Sequence, residues 1–291
     1  MNQHLSGILF GLAAFVSWGF LPVYWKQLQP VAPFEILCHR IIWSCVFLCL
    51  IIAYQRRWSE VIKIVREPAN VMKLCASGLL IGFNWFIYIW AVNTDHVVET
   101  SLGYYINPMV NVLIGYLLLG ERFSRLQLFA ILCALSGVGY SLVAFGGLPV
   151  FALSLAISFA FYGYARKKIE VAPIPGLLIE TCVLVVPAMG YIAYRQLHFD
   201  SQFLNHFSIT LWLIGSGVAT SLPLLWFSAA ARKLKLSTVG ILQYLAPSIA
   251  FVLGVFVYRE SFDWHSGVTF GLIWLGVLIY CADSLTRVRH S

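Results

Sequence analysis

Four ionisable side chains stand inside otherwise apolar stretches of the sequence: His39, Arg40, Glu99 and Glu180. A charged side chain within a membrane span costs about 2.5–3.5 kcal/mol on insertion scales, so each one needs a partner, water or a route to the headgroups. A guanidinium such as that of Arg40 holds anions, whereas carboxyl and imidazole groups exchange protons. These residue types therefore suggest solute binding or proton coupling inside a membrane.

Each of these side chains also has a purely structural interpretation. Arg40 could extend outward to the headgroups, with Glu180 as a partner that fixes helix packing. Glu99 falls only two residues into its apolar stretch, so solvation at the membrane interface accounts for it equally well. His39 follows Glu35 by four residues and would pair with it on one helix face. Arg40 and Glu180 could also interact with each other through their long side chains or a water.

Polar side chains recur at helical spacing near these groups. They are Thr100, Tyr104, Asn107 and Asn111 on one predicted helix, Ser77, Asn84 and Tyr88 on the helix before it, and Gln243 and Tyr244 in the second half of the chain. Such stripes either join helices by hydrogen bonds or line a cavity. Pro108 and Pro247 stand beside two of them at corresponding positions, which favours a cavity. Trp18 lies deep enough in the first stretch to line the same pathway.

The elements that must position these residues are membrane spans. Of the 291 residues, 60% are hydrophobic and 11% are charged, whereas about 25% are charged in soluble domains. Ten runs are long and apolar enough to cross a bilayer. The predicted spans are 5–25, 34–54, 72–92, 97–119, 126–146, 148–165, 173–194, 209–231, 237–258 and 264–283.

The basic residues orient these spans. Fifteen of the 19 Lys and Arg residues lie on the side of the two termini, which the positive-inside rule places in the cytoplasm. The net charge of +7 lies in short clusters between apolar runs, so nucleic acid is not an expected partner. All seven cysteines fall inside apolar runs and no CxxC occurs, so neither a disulfide framework nor a metal site is expected.

The second half of the sequence repeats the first with an offset of 139 residues. Matched positions are Tyr105 with Tyr244, Pro108 with Pro247, Glu121 with Glu260, and Ser77-Gly78 with Ser216-Gly217. Each copy holds five spans, an odd number, so the second copy enters the membrane from the opposite side. The sequence therefore predicts an all-α membrane protein of ten transmembrane helices in a 5+5 inverted repeat, residues 1–146 and 147–291, with both termini cytoplasmic.

The corners at 120–123 (GERF) and 259–262 (RESF) resemble those of the EamA domains of the drug/metabolite transporter superfamily. More specifically, the chain resembles the RarD branch of that superfamily. The motifs that carry this resemblance are 18–22 (WGFLP), 35–40 (EILCHR), 84–93 (NWFIYIWAVN) and 99–108 (ETSLGYYINP). The resemblance covers essentially the whole chain and implies a ten-helix exporter or permease of the bacterial inner membrane, without naming a substrate.

These patterns predict a secondary transporter that moves a small organic solute, such as a metabolite, an amino-acid-like compound or a drug, by alternating access. The predicted substrate-pathway residues are Trp18, Arg40, Asn84, Tyr88, Glu99, Tyr104, Asn107, Glu180, Gln243 and Tyr244. The candidates for proton coupling are His39, Glu99 and Glu180. An uncoupled facilitator and a non-transporting membrane partner protein are the alternatives.

Other functional classes have little support in the sequence. Neither HExxH nor GxSxG occurs, so we expect no enzyme and no cofactor. The expected partners are membrane lipid, a small solute and, as a candidate co-substrate, the proton. Gly7 with Gly11, Gly78 with Gly82 and Gly267 with Gly271 have GxxxG spacing, which allows close helix contact within a monomer or across a homodimer.

Overall fold

The structure is a computed structural model that describes residues 3–94, 96–146, 148–198, 202–257 and 264–290. The description leaves out the side chains at 92, 93, 97–99, 101, 254, 266 and 284–290. All regular secondary structure in the described ranges is helical. The predicted corner at 259–262 lies outside these ranges.

The first half forms five long α-helices and one short α-helix. They are α1 (Gln3–Trp25), α2 (Pro33–Tyr54), α3 (Trp58–Val65), α4 (Pro68–Asn93), α5 (Val97–Leu119) and α6 (Arg125–Phe145). Proline begins both α2 and α4, where its missing N–H costs no helical hydrogen bond. α5 ends at Gly120, whose φ of 65° is a left-handed conformation that glycine adopts without strain. The short helix α3 was not predicted from the sequence.

The second half contains an interrupted helix. Its elements are α7 (Val150–Lys168), α8 (Pro173–His198), α9 (Phe207–Lys233), α10 (Leu236–Gln243), α11 (Leu245–Val252), a π-helical turn (Leu253–Val257) and α12 (Trp264–His290). The sequence predicts one span over 237–258, but the α-helix breaks at Tyr244. Pro247 accounts for the break, because it lacks the N–H that the carbonyl of Gln243 would accept. Its counterpart Pro108 leaves α5 continuous.

Within the described ranges, eight stretches have the length and composition to cross a membrane. They are Gln3–Leu28, Pro33–Tyr54, Pro68–Ala91, Leu102–Leu119, Arg125–Phe145, Pro173–His198, Phe207–Lys233 and Leu236–Val257. α7, which ends in three basic residues, is not among them, and the apolar part of α12 is the shorter Gly267–Asp283.

Helices of the first half pack mainly on helices of the second. α1 contacts α9 and α11, α2 contacts α8 and α9, α4 contacts α7 and α8, α5 contacts α7 and α10, and α6 contacts α12. The halves are therefore interleaved through one bundle, and any cavity at its centre lies between them.

Two matched glycines lie at close contacts between the halves. A Cβ on Gly78 of α4 would lie 2.8 Å from the carbonyl oxygen of Glu180 on α8. A Cβ on Gly217 of α9 would overlap the backbone of Trp43 on α2. Only a residue without a side chain lets these helix backbones approach so closely.

Candidate solute-binding site

A cavity of about 410 Å³ lies between the two halves. Its walls come from α1, α2, α4 and α5 of the first half and from α7, α9, α10 and α11 of the second. It lies toward the end of the bundle where α1 ends and α2 begins, because Trp25 and Pro33 both line it. Cavities of this size, mostly apolar with a few polar groups, are typical of sites for small organic molecules.

Arg40 on α2 projects into this cavity. Its Nε donates a hydrogen bond to Oγ1 of Thr220 on α9, at 2.9 Å. The guanidinium carbon lies 4.7 Å from the ring centroid of Trp25 and 5.3 Å from that of Trp85. Both distances fall within the range of cation–π attraction. Arg40 is thus held by a neutral hydroxyl and two aromatic rings from three different helices.

Among the described residues, Arg40 is the one charged side chain that lines the cavity, and none of them supplies a carboxylate to it. Tyr88 and Tyr104 lie close enough to interact electrostatically with the guanidinium and line the same cavity. Tyr104 is 46% exposed, so its ring is open to the cavity. The described lining therefore carries one positive charge, surrounded by neutral side chains that include several aromatic rings.

Amide side chains join the helices around the cavity. Asn107 donates to the carbonyl oxygen of Ala156 at 2.6 Å, and Asn84 donates to another α7 carbonyl at 2.9 Å. Asn111 donates to the side-chain oxygens of Asn107 and Gln243, at 3.2 and 3.1 Å. These bonds connect α4 and α5 to α7, and α5 to α10, so polar side chains that line the cavity also hold helices of the two halves together.

The structure brings seven of the predicted pathway residues together. Those that line the cavity are Trp18, Arg40, Asn84, Tyr88, Tyr104, Asn107 and Gln243. Glu180, Tyr244 and the proton-coupling candidate His39 are not in its lining. The side chain of Glu99 lies outside the described residues.

Glu180 lies in a separate, fully buried cluster. Its carboxylate forms an ion pair with Arg166 at 3.2 Å, and both side chains are 0% exposed. Arg166 also donates to Ser228 at 2.8 Å, and Tyr162 donates to Glu180 at 3.4 Å. Glu180 is therefore paired with Arg166 and not with Arg40. The end of α7 carries Arg166 to the start of α8, which gives Glu180 a nearer cation.

The expected pair of His39 with Glu35 is also wrong. Glu35 accepts a hydrogen bond from Arg195 of α8 at 3.1 Å, because α2 and α8 pack side by side. Neither ring nitrogen of His39 has a hydrogen-bond partner in the described part of the chain. Its ring instead lies 4.5 Å from that of Phe203.

Tyr244 acts at the contact between the halves rather than in the cavity. Its hydroxyl donates to the backbone oxygen of Tyr105 at 3.1 Å. Tyr105 is the position that the repeat matches with Tyr244, so equivalent residues of the two halves touch each other. Such a contact is expected where two similar halves meet face to face.

Sequence reasoning missed two residues that hold Arg40. Trp25 was not among the predicted pathway residues, yet it lines the cavity. Thr220 was not singled out, although Ser216, Thr220 and Ser221 form a polar patch in the otherwise apolar α9. That patch was the available signal. A partner for Arg40 at a distance of 180 residues was visible only in the fold.

Comparisons with known proteins agree with the motifs. The EamA-like transporter family matches residues 5–143 and 148–281. An "Uncharacterized transporter" of Vibrio cholerae is 45% identical over 98% of this chain and 95% of its own length. "Protein RarD" of Escherichia coli is 43% identical over 100% of this chain and 98% of its own length.

More distant relatives extend the comparison. A "Chloramphenicol-sensitive protein RarD" of Pseudomonas aeruginosa is 29% identical over 98% of this chain and 97% of its own length. A solved crystal structure superposes with a TM-score of 0.72 at 19% identity, covering 95% of this chain and 97% of that chain. At that identity the superposition shows a shared fold alone.

Proposed function

Because the chain belongs to the EamA-like transporter family, in its RarD branch, we propose that it moves a small organic solute across the bacterial inner membrane by alternating access. The long apolar helices and the family together make it an integral membrane protein. The observation that carries the proposal is the cavity of about 410 Å³ between the two halves, with Arg40 in its wall. A cavity that both halves line is one that their relative movement can open and close.

We propose ten spans arranged as a 5+5 inverted repeat, with α7 and α12 as the sixth and tenth. The packing supports this proposal, because exchanging each helix with its counterpart reproduces the same pairs. The contact of α1 with α9 has its counterpart in that of α4 with α7. Likewise, α2 with α9 corresponds to α4 with α8, and α5 with α7 to α1 with α11. The matched glycines Gly78 and Gly217 occupy corresponding contacts.

The positive-inside rule puts both termini of this arrangement in the cytoplasm. The connection between α1 and α2 then lies outside, so the cavity faces outward. Transport follows when the halves rock about their shared axis, closing the outer end of the cavity and separating the helices at the opposite end. The solute is a metabolite, an amino-acid-like compound or a drug in this proposal.

Proton coupling is a further part of the proposal, with Glu180 as its most direct route. Protonation of the buried carboxylate would break its ion pair with Arg166 at the end opposite the cavity. His39 and Glu99 remain the other candidates. In proteoliposomes with an imposed pH gradient, Glu180→Gln should abolish the gradient dependence of flux. Unchanged dependence would instead favour an uncoupled facilitator, because the solute would then move down its own gradient alone.

The transport proposal is tested by plugging the cavity. Ala246→Trp places a large ring in the cavity wall, whereas Val186→Trp places the same ring on a surface that is 75% exposed. Proteoliposomes would be assayed with labelled tryptophan, tryptamine, adenine, indole-3-acetate and chloramphenicol. We expect saturable flux of at least one solute, retained in Val186→Trp and lost in Ala246→Trp. Lack of flux for every solute would favour a non-transporting membrane protein.

A further inference from the structure

The charge balance of the cavity restricts what it can hold. Its described lining contains Arg40 and no acidic side chain. A cationic solute would meet this positive charge without a carboxylate to offset it, in a site of lowered dielectric where such repulsion is strong. An anionic solute would instead supply the counter-charge that the described lining residues do not provide.

The contacts of Arg40 leave the two terminal nitrogens of its guanidinium available for hydrogen bonds to a solute. Nε is occupied by Thr220, while the two terminal nitrogens have no hydrogen-bond partner in the described part of the chain. Trp25 and Trp85 lie against the guanidinium without offering acceptor atoms to those donors. Two parallel N–H donors in one plane match the two oxygens of a carboxylate.

The rest of the lining suits an apolar, flat body attached to that anion. Trp18 and Phe159 meet edge to face with ring centroids 5.7 Å apart, and both line the cavity. Aromatic faces of this kind take up planar rings by stacking and burial. Tyr88 and Tyr104 add hydroxyl groups near the guanidinium, where they can donate to an anion.

The amide groups are less suited to a positively charged ammonium. Their side-chain oxygens on Asn107 and Gln243 already accept hydrogen bonds from Asn111. An ammonium in the cavity would therefore meet no carboxylate among the described lining residues and, apart from that of Asn84, only amide oxygens that already accept a hydrogen bond. This asymmetry favours a simple organic anion over a zwitterion of the same size.

We propose that the cavity binds organic monoanions, with an aromatic ring against the Trp18 and Phe159 side chains and a carboxylate on the terminal nitrogens of Arg40. The inference rests on the proposed transport function and names the solute class of that same site. It predicts discrimination by charge among molecules of one shape.

Three indoles provide the matched probes: indole-3-acetate, the neutral indole-3-acetamide and the cationic tryptamine. Calorimetric titration of the detergent-purified full chain should show binding of indole-3-acetate about thirtyfold tighter than that of the other two, as expected for loss of a charged hydrogen-bonded pair. Arg40→Gln should remove this preference. Arg40→Lys should restore it in part, since it keeps the charge without the planar fork. Arg57→Gln removes a cation that is outside the cavity lining and should change nothing.

Folding is controlled separately, by elution as a single species and by the unfolding temperature. If Arg40→Gln does not fold, Thr220→Val provides the second test, because it releases Nε without removing the charge. It should weaken binding of indole-3-acetate and leave the weak binding of tryptamine unchanged.

Equal binding of tryptamine or indole-3-acetamide, or full binding by a folded Arg40→Gln variant, would overturn the inference. So would the absence of binding of indole-3-acetate. The proposed function has its own criterion, because flux of tryptophan, adenine or chloramphenicol through the unplugged protein would uphold transport even when the anion inference fails.

Discussion

The two ends of the helical bundle use charge in opposite ways. At the cavity end, Arg40 touches a hydroxyl and two aromatic rings, and no described carboxylate neutralises it. At the opposite end, Arg166 and Glu180 neutralise each other in full burial. The charge of one arginine is thus neutralised by a carboxylate, whereas no described carboxylate neutralises the other.

A second acidic residue is hydrogen-bonded at the end of the bundle opposite the cavity. Glu121, which follows α5, accepts hydrogen bonds from the backbone N–H of Leu236 at 2.6 Å and of Ser237 at 3.1 Å. It therefore caps the N-terminus of α10, where a negative charge also favours the helix dipole. Because α10 leads into the cavity wall, this cap connects the end of α5 in the first half to a helix of the second half that lines the cavity. The difference between the ends fits our proposal, in which paired charges stabilise one end of the bundle and Arg40 binds the solute at the other.

The largest effect on stability is expected from breaking the ion pair of Glu180 with Arg166, at the end opposite the cavity. Glu180→Leu leaves Arg166 buried without a counter-charge, which should lower the free energy of unfolding by about 3–5 kcal/mol. The unfolding temperature in a fixed detergent measures the loss. The control is the double variant Arg166→Met with Glu180→Leu, which replaces the pair with apolar side chains and should recover most of the stability. A double variant as unstable as the single one would show that this cluster is not held mainly by the pair.

Loss of the cap at Glu121 should have the next largest effect. Glu121→Ala removes the acceptor for two buried N–H groups of α10, with an expected cost of about 2–3 kcal/mol. Glu121→Gln keeps an acceptor oxygen and should lose less. Hydrogen exchange at the first turn of α10 reports the local effect. Unchanged protection there in Glu121→Ala would contradict a capping role.

At the cavity end, removal of a charged side chain should barely affect the free energy of unfolding. Arg40→Gln removes a charge that has no described counter-charge, so its free energy of unfolding should stay within about 1 kcal/mol of the native chain. Its unfolding temperature, measured beside that of Glu180→Leu, sharpens the comparison. A loss as large as that of Glu180→Leu would mean that Arg40 is a structural group.

The smallest effect on stability is expected for an exposed charge that belongs neither to the cavity nor to the buried ion pair. Arg57 pairs with Glu60 at 2.6 Å on the exposed helix α3, and its hydrogen bond lowers the pKa of Glu60. A lowered carboxyl pKa means that the contribution is present near neutral pH and is lost as the pH falls through the folded-state value. Arg57→Gln should change the free energy of unfolding by less than about 0.5 kcal/mol, because exposed pairs are weak. Unfolding temperatures at pH 7 and pH 4 check both statements.

Much of the helical framework could be predicted because hydropathy alone requires it. The span predicted at 34–54 is found as Pro33–Tyr54, and the span at 97–119 as Val97–Leu119. An apolar run of about 20 residues has few stable alternatives in a bilayer, since every backbone polar group must be paired within the helix. The cavity residues on α4 and α5 were predictable for a similar reason, because helical periodicity puts them on one face.

The pairing of charges could not be predicted in the same way. Glu180 and Arg166 are 14 residues apart, but their contact depends on how the end of α7 meets α8. Arg40 finds Thr220 across 180 residues only because α2 packs on α9. Which side chains pair between helices depends on how the helices pack in three dimensions. A single sequence has no periodic pattern that reveals this packing. The short helix α3 was missed because its eight residues contain too little apolar pattern to stand out.

The most direct test of the account is the flux of indole-3-acetate into proteoliposomes that contain equal amounts of folded native chain, Arg40→Gln or Arg57→Gln. We expect saturable flux in the native chain and in Arg57→Gln. Arg40→Gln should show flux lower by about thirtyfold, because the solute loses its charged partner, while its unfolding temperature stays close to the native value. Equal flux in the folded Arg40→Gln variant would contradict the proposal that the charge of Arg40 binds the solute.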